Sequence, residues 1–491
     1  MKTKVSNLAL IVVCCGALAC AQSAPNSDVE RVIAEAQKPS PLEHNLQVLT
    51  DEIGGRVPGT PAMERSLQWG MKAFAAAGGE NIHLESFTIP ASWAEGATNI
   101  SVTAPVNFRV RGVSLAWTPP TKGTIRARVV DIGEGSAQEL QRAGNFSGAV
   151  LLVHSGVLHT WDDLFAEYLN APPIIKAAIK GRAAAIAFVA TREHDILYRH
   201  INNQFGTIEK IPMVLLARED ADRIGRLIKD GQKVEMELDV PNKVGGPIES
   251  SNVVAELRGS EKPNEFVVLG AHLDSWELGT GALDDGCNAA LVIDTLRAIK
   301  NSGLLPKRSI RFVLFSGEEQ GTLGSLAYVR AHRAELDNAV AAIMFDEGTG
   351  ATTGFSLGGR KDVVGVAQEL VAPFKAWNAD QLTTDAFVGT DNFDFLLEGV
   401  PTFVANQKEA NYMENYHATS DTYDKVDFLQ LKKHVAIAAA LVFEIADRPE
   451  RVGARQSRAE VEQLMRDTKL DEELKIFDMW PDWETGKRGR Q

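Results

Sequence analysis

Five short segments of this sequence carry imidazoles or carboxylates in an order that could do chemistry. They are Gly270-Ala271-His272-Leu273-Asp274-Ser275, Gly281-Ala282-Leu283-Asp284-Asp285-Gly286, Ser316-Gly317-Glu318-Glu319, Phe345-Asp346-Glu347 and Tyr416-His417-Ala418-Thr419-Ser420-Asp421. Each alone has an ordinary explanation. His272 could be a hydrogen-bonded structural histidine, and Asp284-Asp285-Gly286 a turn leading into a helix N-cap. Glu318-Glu319 could be a solvated first helical turn favoured by the helix dipole, and Asp346 a strand-end cap. Short motifs are weak singly. As a group they are harder to dismiss, because they follow segments that read as strands of one sheet. Carboxylates gathered at one sheet end repel one another and lose hydration unless a cation neutralises them. Imidazole with carboxylate suits zinc, and two ions can share one bridging carboxylate.

The elements that would position these residues alternate. Apolar runs at 266–269, 310–315, 340–345 and 401–404 read as strands, and periodic stretches at 288–300, 323–332, 363–374 and 428–446 as helices. Such alternation argues for an α/β fold, a mostly parallel sheet sandwiched by helices, with ligand sites beyond the carboxyl ends of the strands. Upstream, a helical stretch at 64–77 stops at Gly78-Gly79, and an alternating strand follows at 82–87. Pro119-Pro120 with Gly123, and then 242–246, punctuate the chain. Between them lies a self-contained α/β pattern, with strands at 125–130, 149–153, 184–189, 213–217 and 234–238 and helices at 174–181 and 221–229. The expected organisation is a signal segment (1–21), the N-terminal part of the main domain (22–117), an inserted smaller domain (118–246), the main part (247–449) and a charged C-terminal extension (450–491). In the extension, 458–466 reads as a docked helix and 486–491 as a frayed end.

As an ordered set the five segments resemble the ligand motifs of the M28 family of zinc peptidases, within it the plasma glutamate carboxypeptidase branch. The likeness covers nearly the whole chain after the first residues and includes Gly54-Gly55-Arg56 with Pro58-Gly59. The insert resembles a protease-associated domain. The resemblance implies the α/β/α zinc exopeptidase fold and two zinc ions per chain. One would be held by His272 and Asp346, the other by Glu319 and His417, with Asp284 bridging them. It also implies a cis Asp284–Asp285 peptide, with Asp285 supporting the ligands from behind. Glu318 would be the general base, taking a proton from the attacking water and returning it to the leaving amine. Asp274, two residues after His272, would accept that imidazole's N–H and fix its tautomer. Asp421, four after His417, would do the same or else cap the turn before Val426. The loop Gly389-Thr390-Asp391-Asn392 resembles a family segment near the substrate, which makes Asp391 a candidate contact; a surface turn is the alternative. Tyr416, Tyr412 and Arg360 are further candidate contacts that no motif fixes. Cys287 stands where that branch has a small residue, and reads as a packed helix opener or a soft extra ligand. The implied reaction is hydrolysis of a terminal peptide bond in a short peptide or dipeptide, with neither terminus specified.

The rest of the sequence bounds this reading. With 51 Lys and Arg against 65 Asp and Glu the net charge is −14, which argues against sequence-independent nucleic-acid binding. Lys2 and Lys4, an apolar run at 8–19 and small residues at 17, 19 and 21 read as a secretory signal, so export to the periplasm or medium is expected. Ala17-Leu18-Ala19-Cys20 also resembles a lipobox, which would make Cys20 a lipid anchor in an outer membrane; cleavage after Ala21 is the alternative. Cys14, Cys15 and Cys20 lie in or beside that segment, which leaves Cys287 alone in the body of the chain and no disulfide framework there. No later stretch has 18 consecutive apolar residues, so no membrane span is expected. The insert could shade the cleft or mediate a homodimer. Two rival classes share such a fold: a metal-free receptor or scaffold, which typically loses ligands, and a one-zinc glutaminyl-cyclase-like acyltransferase.

Overall fold

The apolar run at 266–269 is the middle of an eleven-residue strand, Lys262–His272, near the centre of an eight-stranded sheet. It is fully buried from Phe266 onward, as a strand covered on both faces requires. In this computed structural model, which describes residues 27–491, Lys262–His272 pairs in parallel with Arg308–Phe315 on one side and Ala339–Met344 on the other. Thr402–Gln407 adds a fourth parallel strand beyond Ala339–Met344. Antiparallel pairs flank this parallel centre: Glu80–Ile89 with Ile248–Leu257 at one edge, and Thr352–Ser356 against Thr402–Gln407 toward the other. The signal segment and Cys20 lie outside the described residues.

Helices cover both faces. Asp28–Ala36, Pro61–Ala77, Cys287–Asn301 and Phe428–Asp447 pack one large core on one face. Leu323–Ala331 and Asn392–Leu397 cover the other, against Phe266, Val313, Phe315 and Met344. Local sequence sets their ends. Thr60 caps Pro61–Ala77 by accepting the Met63 amide, Pro61 takes the first position, and Gly78 closes it at φ 88°, a left-handed conformation that suits glycine. Among the described residues no helix is long and apolar enough to cross a membrane.

A second eight-stranded sheet is built from residues 99–239. It takes in Asn99–Ala104, Phe108–Val110 and Gly112–Ser114, so the unit starts before the boundary expected at residue 118. Its longest helix is Trp161–Lys180, twenty residues with Pro172 and Pro173 inside, longer toward its N-terminus than the helix expected at 174–181.

The C-terminal residues correct the expectation of a frayed end. Arg488 is 2% exposed, its guanidinium bonded to both oxygens of Asp394 at 2.8 Å, and the Arg490 amide donates to the Leu397 carbonyl. Helices Arg458–Thr468 and Leu470–Ile476 bring Val461, Leu464, Met465 and Leu474 into a core shared with Phe393 and Leu397. Apolar residues at helical spacing and one buried ion pair hold down a segment whose composition is otherwise charged.

Candidate active site

The carboxyl ends of the parallel strands bring the expected residues together. His272 ends its strand, Asp346 follows Ala339–Met344, and Glu318 and Glu319 lie in the loop after Arg308–Phe315. Asp284 sits in the turn before Cys287–Asn301, and His417 in the loop beyond Thr402–Gln407. Asp284 faces two ways: Oδ1 is 3.0 Å from His272 Nε2 and Oδ2 is 3.1 Å from His417 Nε2. His272 Nε2 is also 3.3 Å from Asp346 Oδ1, and His417 Nε2 2.9 Å from Glu319 Oε2. The Asp284–Asp285 peptide is cis, as expected.

The supporting residues partly depart from expectation. His272 Nδ1 donates to the backbone carbonyl of Asp274 at 2.9 Å, whereas the Asp274 carboxylate stays 3.7 Å away and accepts the Glu318 amide instead. The turn after the strand folds Asp274's own carbonyl back onto the ring, so the tautomer is fixed by backbone. Asp421 does not reach the His417 ring. It accepts the amides of Ala282, Leu283 and Asp284 at 2.7–3.2 Å, cradling the turn that presents Asp284. Asp285 accepts the His272 amide and the Asn288 side chain, tying ligand strand to ligand turn. Asp391 is 1% exposed at the start of Asn392–Leu397, and its neighbours Gly389 and Thr390 line the cavity in its place. Tyr416 and Tyr412 do line it, while Arg360 is spent on Asp362, the Gly399 carbonyl and the Ala454 carbonyl. Cys287 is fully buried with its thiol toward the Leu283 carbonyl and burial pushing its pKa well up, which is a packed residue and not a thiolate ligand.

The electrostatics call for cations. Burial, with Asp346 and other acids nearby, pushes Glu318 well above the usual carboxylate range, and Asp285 and Asp391 likewise. Burial raises Glu319 to about 7 against the pull of His417, and Asp421 to about 7. Asp284 goes down, since the two imidazoles outweigh its burial. With Nδ1 of His272 committed as a donor, its Nε2 lone pair faces two carboxylate oxygens, which is repulsive without a positive charge between them. Asp284 Oδ2 and Glu319 Oε1 are buried without a hydrogen-bond partner. One ligand atom each from His272, Asp284 and Asp346, and from Asp284, Glu319 and His417, falls within 4.8 Å of the others. Both triads therefore fit a divalent cation in donor type, spacing and unmet charge.

These groups open onto a cavity of about 550 Å3. Two of its walls come from stretches to which the sequence assigns no site role. Helix Trp161–Lys180 contributes Trp161, Phe165 and Tyr168, and the C-terminal extension Glu473 and Phe477. Beneath the ligand turn lies Arg56, wholly buried, which donates to the carbonyls of Gly54, Leu273, Thr280 and Gly281. Burial pulls its pKa down to about 10 against the attraction of Asp421, Asp274 and Asp285, so it stays charged and offsets those acids. Its only sequence signal was the Gly54-Gly55-Arg56 motif, which gives no role.

Known proteins resemble this chain in sequence and fold. The model of peptidase family M28 matches residues 252–442, which hold all five candidate ligands. Carboxypeptidase Q of Mus musculus is 29% identical over 408 residues, 82% of this chain and 85% of that protein, and the Homo sapiens protein is 28% identical over the same length. The peptidase M28 precursor from Shewanella amazonensis SB2B superposes with a TM-score of 0.80 at 25% identity, covering 88% of this chain and all of that one. A zinc aminopeptidase from Bacillus subtilis, at 19% identity and TM-score 0.64 over 85% of this chain and 97% of that one, shares the fold. Residues 252–442 match peptidase family M28, and with the fold and the ordered motifs these likenesses support a metallo-exopeptidase.

Proposed function

We propose that this chain hydrolyses the terminal peptide bond of short peptides or dipeptides with two zinc ions, one on His272 and Asp346, one on Glu319 and His417, and Asp284 between them. The observation that carries the reading is Asp284, whose two oxygens face two different imidazoles at 3.0 and 3.1 Å. When bound, zinc would make a water acidic enough to deprotonate near neutral pH and would polarise the scissile carbonyl.

The chain's own residues do the rest. Glu318 borders the cavity, and its environment raises its proton affinity, so it can take a proton from the attacking water and give it to the leaving amine. Asp274 fixes the backbone of that base through the Glu318 amide, and the Glu318 carbonyl accepts the Gly321 and Thr322 amides at 2.8 Å. Asp421, Asp285 and Arg56 hold the ligand turn. Trp161, Phe165 and Phe477 line the cavity, which supports short substrates and keeps bulk water from the reacting bond. The second sheet would be a protease-associated domain inserted in the peptidase domain. The basic and apolar N-terminus supports export, with Cys20 a candidate lipid anchor.

Glu318→Gln tests the central assignment. The variant is expected to retain two zinc ions per chain by elemental analysis and to lose at least about a hundredfold in kcat on a dipeptide panel. Wild-type turnover in that variant would sink the general-base role, and wild-type protein that takes up no zinc would sink the metal centre. A panel of N- and C-blocked peptides then identifies the terminus required.

A further inference from the structure

Of the five candidate ligands, His417 alone has a left-handed backbone, φ 58°, a conformation that residues with a Cβ seldom adopt. Its loop is held there by the unit built from the second sheet. The Arg199 amide donates to the His417 carbonyl at 3.1 Å, and the Thr419 amide to the Leu197 carbonyl at 2.9 Å. Tyr198 and Ala418 form an antiparallel bridge. The Arg192 guanidinium donates to the Tyr416 carbonyl at 3.1 Å and is itself paired with Glu167.

The side chains continue this grip to the ligand. Tyr168 Oη, from the buried face of Trp161–Lys180, lies 3.5 Å from His417 Nδ1 and 3.0 Å from Tyr416 Oη. With His417 Nε2 turned toward Asp284 and Glu319, its ring proton sits on Nδ1, and Tyr168 Oη is placed to accept it. Tyr168 Oη also shares a hydrogen bond with Tyr416 Oη in which either hydroxyl can donate. That bond fixes the Tyr416 hydroxyl at the wall of the cavity both tyrosines line.

We propose that Tyr168 is a positioning residue of the metal centre: it orients His417 as a ligand and the Tyr416 hydroxyl toward substrate, so the inserted unit completes the site and does not merely shade it. This rests on the two-zinc reading above, and the test separates the two. In the full-length protein Tyr168→Phe removes one hydroxyl and little volume. Outer partners of metal-bound histidines are typically worth about 10–100-fold in metal affinity or activity. One of the two zinc ions of Tyr168→Phe is therefore expected to leave at about tenfold lower chelator concentration, while the other follows wild type. kcat should fall about tenfold or more with KM within about threefold. Thr121→Val deletes a buried hydroxyl of the same unit that accepts the Val240 amide at 3.0 Å, outside the contacts to the His417 loop named above. It should lower the melting temperature without moving zinc release, and so reports what purely structural damage does. Identical zinc release and kcat in Tyr168→Phe and wild type would overturn the positioning role, as would an equal change in Thr121→Val. Wild-type protein without zinc would instead overturn the reading beneath it.

Discussion

Arg488 stands three residues before Gln491, in a stretch whose composition says tail, and the structure makes it part of the core. Its side chain is 3% exposed and that of Asp394 is 0%. Arg488→Met keeps much of the volume and leaves the Asp394 charge buried. Removing one partner of a buried pair costs roughly 3–5 kcal/mol. Asp394 would still accept the Thr322 and Ser325 hydroxyls at 3.0 and 3.1 Å, which places this case at the low end, about 3 kcal/mol. That is a more than hundredfold rise in the unfolding constant, at about 1.4 kcal/mol per tenfold. Adding Asp394→Asn removes the stranded charge, so the double variant should lose less than the sum of the two singles. Activity should fall as well. Arg488 also donates to the Gly321 carbonyl and the Thr322 hydroxyl, and Gly321 and Thr322 anchor the Glu318 carbonyl. Urea unfolding of the zinc-loaded single and double variants, with kcat on one dipeptide, measures both. Arg488→Met within about 0.5 kcal/mol of wild type, or strictly additive variants, would refute the docked tail and its link to the base loop.

Asp421→Ala strands the amides of Ala282, Leu283 and Asp284, each unmet donor costing about 1–3 kcal/mol, so it should weaken zinc retention more than any single substitution outside the ligands and Glu318. Chelator competition checks this, and a wild-type curve would remove Asp421 from the site. Far from the metal, His332 bonds Glu335 and, at 2.9 Å, Glu85. Burial alone would lower its pKa, but these carboxylates outweigh it and hold the ring above 6.5. A raised folded pKa gives stability that is full below the unfolded value and lost as pH rises through the folded one. The stability deficit of His332→Gln should therefore be larger near about pH 5.5 than near about pH 9 in paired melting curves. A deficit that holds constant or grows with pH would contradict the assignment.

What the sequence disclosed and what it hid follow from the range of the interactions involved. The ligand segments were legible because each is local: an acid or imidazole directly after an apolar strand core, as with Val267-Val268-Leu269 before His272 or Ala341-Ala342-Ile343 before Asp346. The parallel centre was legible for the same reason, since strands buried on both faces are continuous apolar runs. Roles that depend on chain segments far apart were not. Asp421 was matched to the nearest imidazole, four residues away, but its carboxylate serves amides some 138 residues upstream. Asp391 lay in a loop with a functional look, but whether a helix opener points to cavity or core is set by the helix it starts. Tyr168 was hidden by Pro172-Pro173. Proline removes the amide that would bond four residues back, so a pair of them argues against a helix through 161–180. The helix persists because its flank is packed, with Leu164, Ala171, Ile174, Ile175 and Ala178 all buried. Packing that outweighs local propensity thus brings Tyr168 within 3.5 Å of the His417 ring. The ligands of such a site can be read from strand ends, whereas the residues that aim them come from whichever distant surface the fold lays across those ends.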